Sequence, residues 1–314
     1  MSTTLRWGIL GTGRIAEKFA TQLPGSDSGQ LVAVGSRNPS LTPYWCAATM
    51  MTYAAVIDHP DVDAIYIALP NGLHKEWTLR ALHGHKHVLC EKPLACAPED
   101  VAAMFAAARS HQRTLVEALM YRCQPAVQDA LRLIHEGAIG EVRTLRGAFS
   151  YEHRLLPHDP RWDLAQGGGA LFDVGCYPVQ FMNAIMNAEP LRIEAALAEA
   201  RKGLDTSGAA LLHYPGAAAG VITFGMEIGG DRSFQVCGTR GSIRFEDPWL
   251  NGDEFLWQHD HGTERHVKVS EKALYALEAD AFAAAVMDGS EPWINELESL
   301  RNARTLAAIR LAAR

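Results

Sequence analysis

The nine residues Gly8-Ile9-Leu10-Gly11-Thr12-Gly13-Arg14-Ile15-Ala16 decide how the first third of this chain is read. They join an apolar run, Trp7–Leu10, to a stretch of helical periodicity, Ile15–Gln22, through a GxGxxA turn. In a strand-turn-helix unit each small residue has a physical task. Gly11 permits the tight turn, Gly13 lets backbone approach a pyrophosphate, and Ala16 lets helix and strand pack closely. The helix start then offers unpaired N–H groups to phosphate oxygens. Gly11, Thr12, Gly13, Arg14 and Ile15 are therefore the first candidate dinucleotide contacts. The motif alone is a weak signal; strand, loop, helix and second strand occurring in order strengthen it.

Outward from this loop, short apolar runs alternate with helical patterns. Leu31–Val34, Ala64–Leu69, His87–Cys90 and Leu115–Leu119 are apolar enough to be strands buried on both faces, while Lys75–His83 and Pro98–Ser110 have helical spacing. Gly84 stands where a helix C-cap belongs. This alternation predicts an α/β Rossmann domain over residues 1–120, a doubly wound parallel sheet covered on both faces. After Met120 the character changes. A helix is expected over Gln124–His135, then β-rich stretches at Val142–Ser150, Ile193–Ala198, Ala209–His213, Gly220–Met226, Phe234–Val236 and Ser242–Phe245. Two helices, Ala273–Met287 and Leu297–Ala312, close the chain. Residues 121–314 thus read as an α+β domain with a mostly antiparallel sheet.

Composition agrees with two folded domains: 314 residues, 48% hydrophobic and 21% charged. The 29 basic against 36 acidic residues give a net charge of -7, which argues against nucleic acid or an anionic membrane as partner. Six cysteines stand singly, without a CxxC pair, and read as reduced residues. The start, Met1 to Trp7, has no apolar signal-peptide core, and the uncharged run Thr206–Met226 is broken by Pro215-Gly216, so two strands are expected there rather than a membrane span. The expected location is cytoplasmic.

The second expected strand ends in Gly35-Ser36-Arg37-Asn38. An NAD enzyme commonly carries Asp or Glu here for the ribose 2′-OH. Ser36 and Arg37 instead suit a 2′-phosphate, so NADP is the expected cofactor, with NAD as the alternative; a solvated loop role for Arg37 is the competing reading.

Three further segments carry chemistry: Ala68-Leu69-Pro70-Asn71-Gly72-Leu73-His74 and Cys90-Glu91-Lys92-Pro93-Leu94, each after an expected strand, and Gly167-Gly168-Gly169-Ala170-Leu171-Phe172-Asp173-Val174-Gly175-Cys176-Tyr177. Together with the glycine loop they resemble the Gfo/Idh/MocA oxidoreductases, the glucose–fructose oxidoreductase and inositol dehydrogenase family, along essentially the whole chain. The resemblance implies a Rossmann domain, a C-terminal domain with an open-faced sheet that binds substrate, and hydride transfer at a nicotinamide. It implies cofactor contacts at Leu69, Pro70, Asn71, Glu91 and Lys92, with Lys92 reaching substrate as well, and a substrate site lined by Asp173 and Tyr177; His74 is a further cofactor candidate, for which capping or packing in its loop is the first reading. Where the inositol dehydrogenase pattern has His, this chain has Tyr177. That departure, with Met120-Tyr121-Arg122, is similar to the branch containing NADP-dependent xylose dehydrogenases and dimeric dihydrodiol dehydrogenases.

The residues support these expectations in their own right. Ligands of open α/β sheets sit beyond the carboxyl ends of strands, where Pro70–His74 and Glu91–Pro93 fall. If a helix begins in Gly169–Tyr177, Asp173 and Tyr177 lie at i and i+4 on one face, and the glycines before them allow close backbone approach to a ligand. Lys92, Tyr177 and Asp173 are the candidate catalytic residues, with Tyr177 as acid/base. Tyr121, Arg122 and Trp162 are candidate pocket walls; core packing is the competing reading for Tyr177 and Trp162. His83, His85 and His87 alternate around a helix end and do not read as a zinc site. The expected activity is an NADP-dependent dehydrogenase acting on an aldose or a trans-dihydrodiol. A sugar-nucleotide ketoreductase and a non-catalytic NADP sensor are the alternatives. An open sheet needs cover, so a homodimer or higher oligomer is expected.

Overall fold

The computed structural model of this protein describes residues 4–152, 159–201 and 203–313; Met1–Thr3 of the N-terminal reading lie outside them. By contacts the chain divides into two compact units. The first comprises Met1–Ala95, Glu99–Cys123 and Glu271–Glu296; the second comprises Cys96–Pro98, Gln124–Ser270 and Leu297–Arg314.

The first unit is a six-stranded parallel sheet in the order β3-β2-β1-β4-β5-β6. Its strands are β1 (Leu5–Leu10), β2 (Gly29–Gly35), β3 (Thr49–Met51), β4 (Ala64–Ile67), β5 (His87–Glu91) and β6 (Leu115–Ala118). The helices are α1 (Arg14–Gln22), α2 (Tyr53–Asp58), α3 (His74–His83) and α4 (Pro98–Ser110). β1, β4, β5 and β6 bury nearly every residue, as the continuous apolar runs require. β3 and α2 were not expected: three and six residues are too short to show a period.

The expected boundary at residue 120 needs one correction. Helix α7 (Leu274–Met287), expected in the second domain, packs in the first unit. Phe282 lies 5.1 Å from the Trp7 ring, and Asp280 accepts bonds from Ser26 Oγ, Asp27 N and Ser28 Oγ at 2.5–2.9 Å. Its apolar face covers α1, which its place in the chain could not reveal.

The second unit is an eight-stranded sheet in the order β14-β13-β12-β11-β7-β10-β9-β8. The strands are β7 (Val142–Ser150), β8 (Arg192–Arg201), β9 (Leu204–His213), β10 (Ala219–Gly225), β11 (Phe234–Gly238), β12 (Ser242–Phe245), β13 (Glu254–His259) and β14 (Gly262–Val267). All pairings are antiparallel except β7 with β10. The run Thr206–Met226 is indeed two strands joined at Pro215–Ala217. The remaining helices are α5 (Pro125–His135), α6 (Cys176–Met186) and α8 (Glu296–Ala312). One sheet face, with Leu145, Leu212, Ile222, Val236 and Ile243, is buried, and Phe181 of α6 meets Phe234 at 4.5 Å. The alternate residues Arg146, Val221, Thr223, Arg244 and Leu256 are exposed in the chain, the period-two signature of a sheet covered on one side. Among the described residues no helix is long and apolar enough to cross a membrane, and none of the six cysteines is in a disulfide.

One buried group in the first unit costs stability. Glu278 of α7 is fully buried and neither carboxyl oxygen has a hydrogen-bond partner. Burial first, and the nearby Glu91 second, push its carboxyl well above the ordinary range, so it is held protonated. The unfolded chain releases that proton from about pH 4.5, earlier than the native state does. Because the native state binds the extra proton, stability is full below that pH and falls as pH rises towards the native value. Glu278→Gln removes the proton and should flatten the decline, which approaches 1.4 kcal/mol per pH unit for one proton. Urea unfolding between pH 5 and 8 reads this; parallel lines for the two proteins would disprove it.

Candidate active site

The carboxyl edge of the first sheet gathers the expected cofactor residues. Gly11 N donates to Gly35 O at 3.1 Å and Ala68 N to Leu10 O at 2.9 Å, so the glycine loop, the end of β2 and the loop after β4 are neighbours. Gly11 has φ +118°, and a β-carbon there would lie 2.4 Å from the Ala68 carbonyl oxygen. Gly13 differs. It is the N-cap of α1 with ordinary φ -78°, no side chain caps the helix, and a β-carbon there would meet nothing within 4 Å. An open, uncapped helix start beside a Gly turn is the cradle a pyrophosphate needs. Thr12 and Arg14 are exposed at its rim and Ile15 is half-buried. The residues present therefore fit a dinucleotide.

Ser36 and Arg37 follow β2, with no carboxylate among the four residues Gly35–Asn38. Ser36 Oγ accepts from Asn38 N at 3.1 Å, which shapes the turn and leaves Arg37 exposed. Arg37 lies near enough to Tyr53 to oppose the upward push that burial gives that phenol. After β4, Leu69 is buried and Pro70 and Asn71 are half-buried at a short turn.

Two expected cofactor residues turn inward. His74 is fully buried, its ring nitrogens 2.9 Å from the carbonyl oxygens of Pro93 and Leu69, and burial lowers its pKa. The ring is thus packed between two loops, with its one N–H shared between their carbonyl oxygens, rather than facing a ligand. Glu91 accepts from the Tyr66 hydroxyl and from Lys92 N, a core position for its carboxyl. Lys92 itself is half-buried at the same strand edge, and Tyr121 (buried) and Arg122 (half-buried) follow β6 there.

In the second unit Asp173 sits in a π-turn, Leu171–Gly175, that runs directly into α6. Such turns are rare and frequent at functional sites, and the α-helical i, i+4 expectation does not apply across it. Asp173 Oδ2 accepts from the Tyr151 hydroxyl and from Arg161 Nε at 3.0 Å. Tyr177 is the second residue of α6, with its ring 5.0 Å from Phe149 and 6.0 Å from Trp249. Trp162 is half-buried on the turn that carries Arg161. Tyr151, Arg161, Phe149 and Trp249 were missed in the sequence; a hydroxyl-bearing aromatic just past β7 is the one local signal available.

The preceding glycines do a different task from the one expected. A β-carbon on Gly168 would lie 2.4 Å from the Arg161 carbonyl oxygen, and one on Gly169 (φ +116°) 2.4 Å from Asp205 Oδ1. They make room for the chain itself. Asp205, buried, accepts from Leu171 N at 2.6 Å and so fixes the first residue of the π-turn.

His83, His85 and His87 do not converge. The His83 and His85 rings lie 4.9 and 5.4 Å from His111, whereas His87 accepts from Thr114 N and is lowered to about 4, mainly by burial. Among the described residues no group of three or more His, Cys, Asp or Glu could hold a metal ion.

Comparison with known proteins agrees with the two-domain fold. Residues 5–119 match the model of an oxidoreductase family with an NAD-binding Rossmann fold, and residues 127–244 the GFO/IDH/MocA C-terminal domain. The chain is 33% identical to a trans-1,2-dihydrobenzene-1,2-diol dehydrogenase of Mus musculus over 78% of this chain and 75% of that one. It is 30% identical to a D-xylose 1-dehydrogenase (NADP(+)) of Haloferax volcanii over 97% and 96%. A 3-ketoreductase from Actinomadura kijaniata, solved with NADP and TDP-benzene, is similar at 29% identity and a TM-score of 0.88, covering 99% of this chain and 98% of that one.

The two glycines of the loop separate fold from binding. Gly13→Ala should keep stability within about 0.5 kcal/mol yet weaken dinucleotide binding about tenfold or more, since its β-carbon enters only the cradle. Gly11→Ala should destabilise the fold itself. Chemical unfolding and cofactor titration check both; unchanged binding in Gly13→Ala would remove the phosphates from this loop.

Proposed function

The chain belongs to the GFO/IDH/MocA oxidoreductase family, and from that premise we propose that it is an NADP-dependent dehydrogenase acting on a carbinol carbon of an aldose or vicinal diol. The observation that carries the substrate side is the corner of the second unit where Asp173 is held by Tyr151 and Arg161 one turn before Tyr177. A carboxylate and a phenol are groups that bind hydroxyls. A bound NADP would supply the hydride acceptor at its nicotinamide. The relatives that act on a dihydrodiol and on D-xylose support the substrate class.

In this reading Asp173 accepts a substrate hydroxyl and orients it, and Tyr177 moves the proton of the hydroxyl being oxidised. A phenol, with an ordinary pKa of about 10, is a poor base at neutral pH unless positive charge favours the phenolate. Lys92 is proposed as a catalytic residue that positions the cofactor. Tyr121, Arg122 and Trp162 are assigned to the walls, and Leu69, Pro70 and Asn71 to the nicotinamide side of the cofactor. The Actinomadura ketoreductase has been solved with a tyrosine replaced by phenylalanine and with a lysine replaced by alanine or glutamate, which supports giving these residue types the central roles. That relative also favours the second reading, reduction of a keto group on a sugar nucleotide. No observation favours a non-catalytic sensor.

A panel of aldoses, trans-diols and keto sugars, followed at the NADPH absorbance in both directions, tests the reading and separates it from the second. Tyr177→Phe should lower kcat by about 10²–10⁴ with NADP affinity nearly intact. Retained kcat with only KM raised would make Tyr177 a binding residue.

NADP preference rests on Ser36 and Arg37 standing where a ribose-binding carboxylate is missing. Arg37→Ala should weaken NADP binding by about 1.5–3 kcal/mol, the range of a charge-assisted hydrogen bond, and leave NAD binding almost unchanged. Equal losses for both cofactors would assign Arg37 to its loop.

Cysteines in thiol form suit a cytoplasmic location, which cell fractionation would check. The exposed sheet face with Val221 (43% exposed) and Leu256 (40%) is assigned to pairing of two copies. Light scattering at micromolar concentration should report a dimer or larger; a monomer would count against this.

A further inference from the structure

Asp173 is anchored by two residues that no motif announces, and they come from different parts of the second unit. Tyr151 follows β7 and donates its hydroxyl to Asp173 Oδ2. Arg161, on the turn Pro160–Trp162, donates Nε–H to the same oxygen at 3.0 Å. The Arg161 turn is in turn tied down. Asp159 Oδ1 accepts from Arg161 N at 2.9 Å and faces its Nη1 at 3.5 Å, while the Arg161 carbonyl accepts from Gly169 N at 3.0 Å. Gly168 N bonds Asp163 O at 2.9 Å. Turn and π-turn are therefore one piece, stitched by backbone and side chain at once.

The chemistry of the pair is specific. A guanidinium donating to a carboxylate makes a charge-assisted bond, about twice as strong as a neutral one, and side-chain exposures of 31% for Arg161 and 12% for Asp173 limit screening by water. Burial, with Asp173 beside it, pushes the Tyr151 phenol well above its ordinary range, so it stays a donor throughout neutral pH. Two donors on one oxygen fix the carboxylate plane, which a single bond would leave free to rotate.

We propose that Arg161 and Tyr151 are positioning residues for Asp173, holding its carboxylate in the one orientation that receives a substrate hydroxyl. The proposal rests on the reading of Asp173 as a substrate-binding group. Substitution of Arg161 or Tyr151 acts on turnover through Asp173, and not through the cofactor or the fold.

The test is a double-mutant cycle, with steady-state NADP reduction measured on D-xylose and on trans-1,2-cyclohexanediol as probes. Arg161→Met should raise KM about tenfold with a smaller change in kcat and unchanged NADP affinity, and Arg161→Lys should recover part of the loss. In an Asp173→Asn background, Arg161→Met should change kcat/KM by less than about twofold, because the group it acts through is gone. Tyr151→Phe removes a single oxygen and repeats the cycle should Arg161→Met fail to fold. Equal losses in both backgrounds, or a parallel loss of NADP affinity, would overturn the proposal while leaving Asp173 as a substrate group. An Asp173→Asn protein as active as the wild type overturns the reading of Asp173 and the proposal with it. Turnover of neither probe by the wild-type protein overturns the sugar-or-diol reading itself.

Discussion

A β-carbon on Gly11 would lie 2.4 Å from the carbonyl oxygen of Ala68, and the architecture of the nucleotide-binding unit depends on that prohibition. Only glycine accepts φ +118° there without strain. Because it does, β1 can turn into α1 while keeping its hydrogen bonds to β2 on one side and β4 on the other. The turn brings the uncapped start of α1 to the carboxyl edge of the sheet. Along that same edge stand Arg37, Asn71 and Lys92, one after each of β2, β4 and β5. A parallel sheet delivers all of these loops to one side by topology alone.

The second unit obeys the same kind of constraint with a different solution. Gly168 and Gly169 leave space for the Arg161 carbonyl and for the buried carboxylate of Asp205. Asp205 then receives Leu171 N, and the chain leaves the α-helical pattern for a π-turn before settling into α6. Without those glycines the turn carrying Arg161 would be forced away from Asp173. A packing detail thus sets the chemistry of a carboxylate several residues away.

Buried charge runs through the protein, and its cost differs with its partners. Asp173 has a guanidinium and a phenol as donors, and Asp205 has a backbone N–H. Glu278 has no hydrogen-bond partner and is held neutral. An ionised carboxylate without donors in the interior costs several kcal/mol more than a proton retained at pH 7, so protonation wins. His74 is likewise kept from charging by burial, although two carbonyl oxygens face its ring. A neutral ring carries one N–H, so His74 donates to one of those two carbonyl oxygens at a time.

The sequence by itself determined the parts governed by local physics. The GxGxxA turn, the buried parallel strands and helix α4 at Pro98–Ser110 were legible because fully buried strands leave continuous apolar runs and helices a 3.6 period. So were Val142–Ser150 and Ser242–Phe245, where alternation marks a sheet with one open face. Short or exposed elements escaped: β3 and α2 have too few residues, and β14, at the edge of its sheet, is rich in polar side chains. Tertiary structure alone decided that α7 returns to the first unit, that Gly168 and Gly169 make room for Arg161 and Asp205 rather than for a ligand, and that Tyr151 and Arg161 meet on Asp173. The reason is common to all three. Each contact joins residues whose spacing along the chain carries no period, so it exists only once distant segments have packed and each buried polar atom has sought a partner.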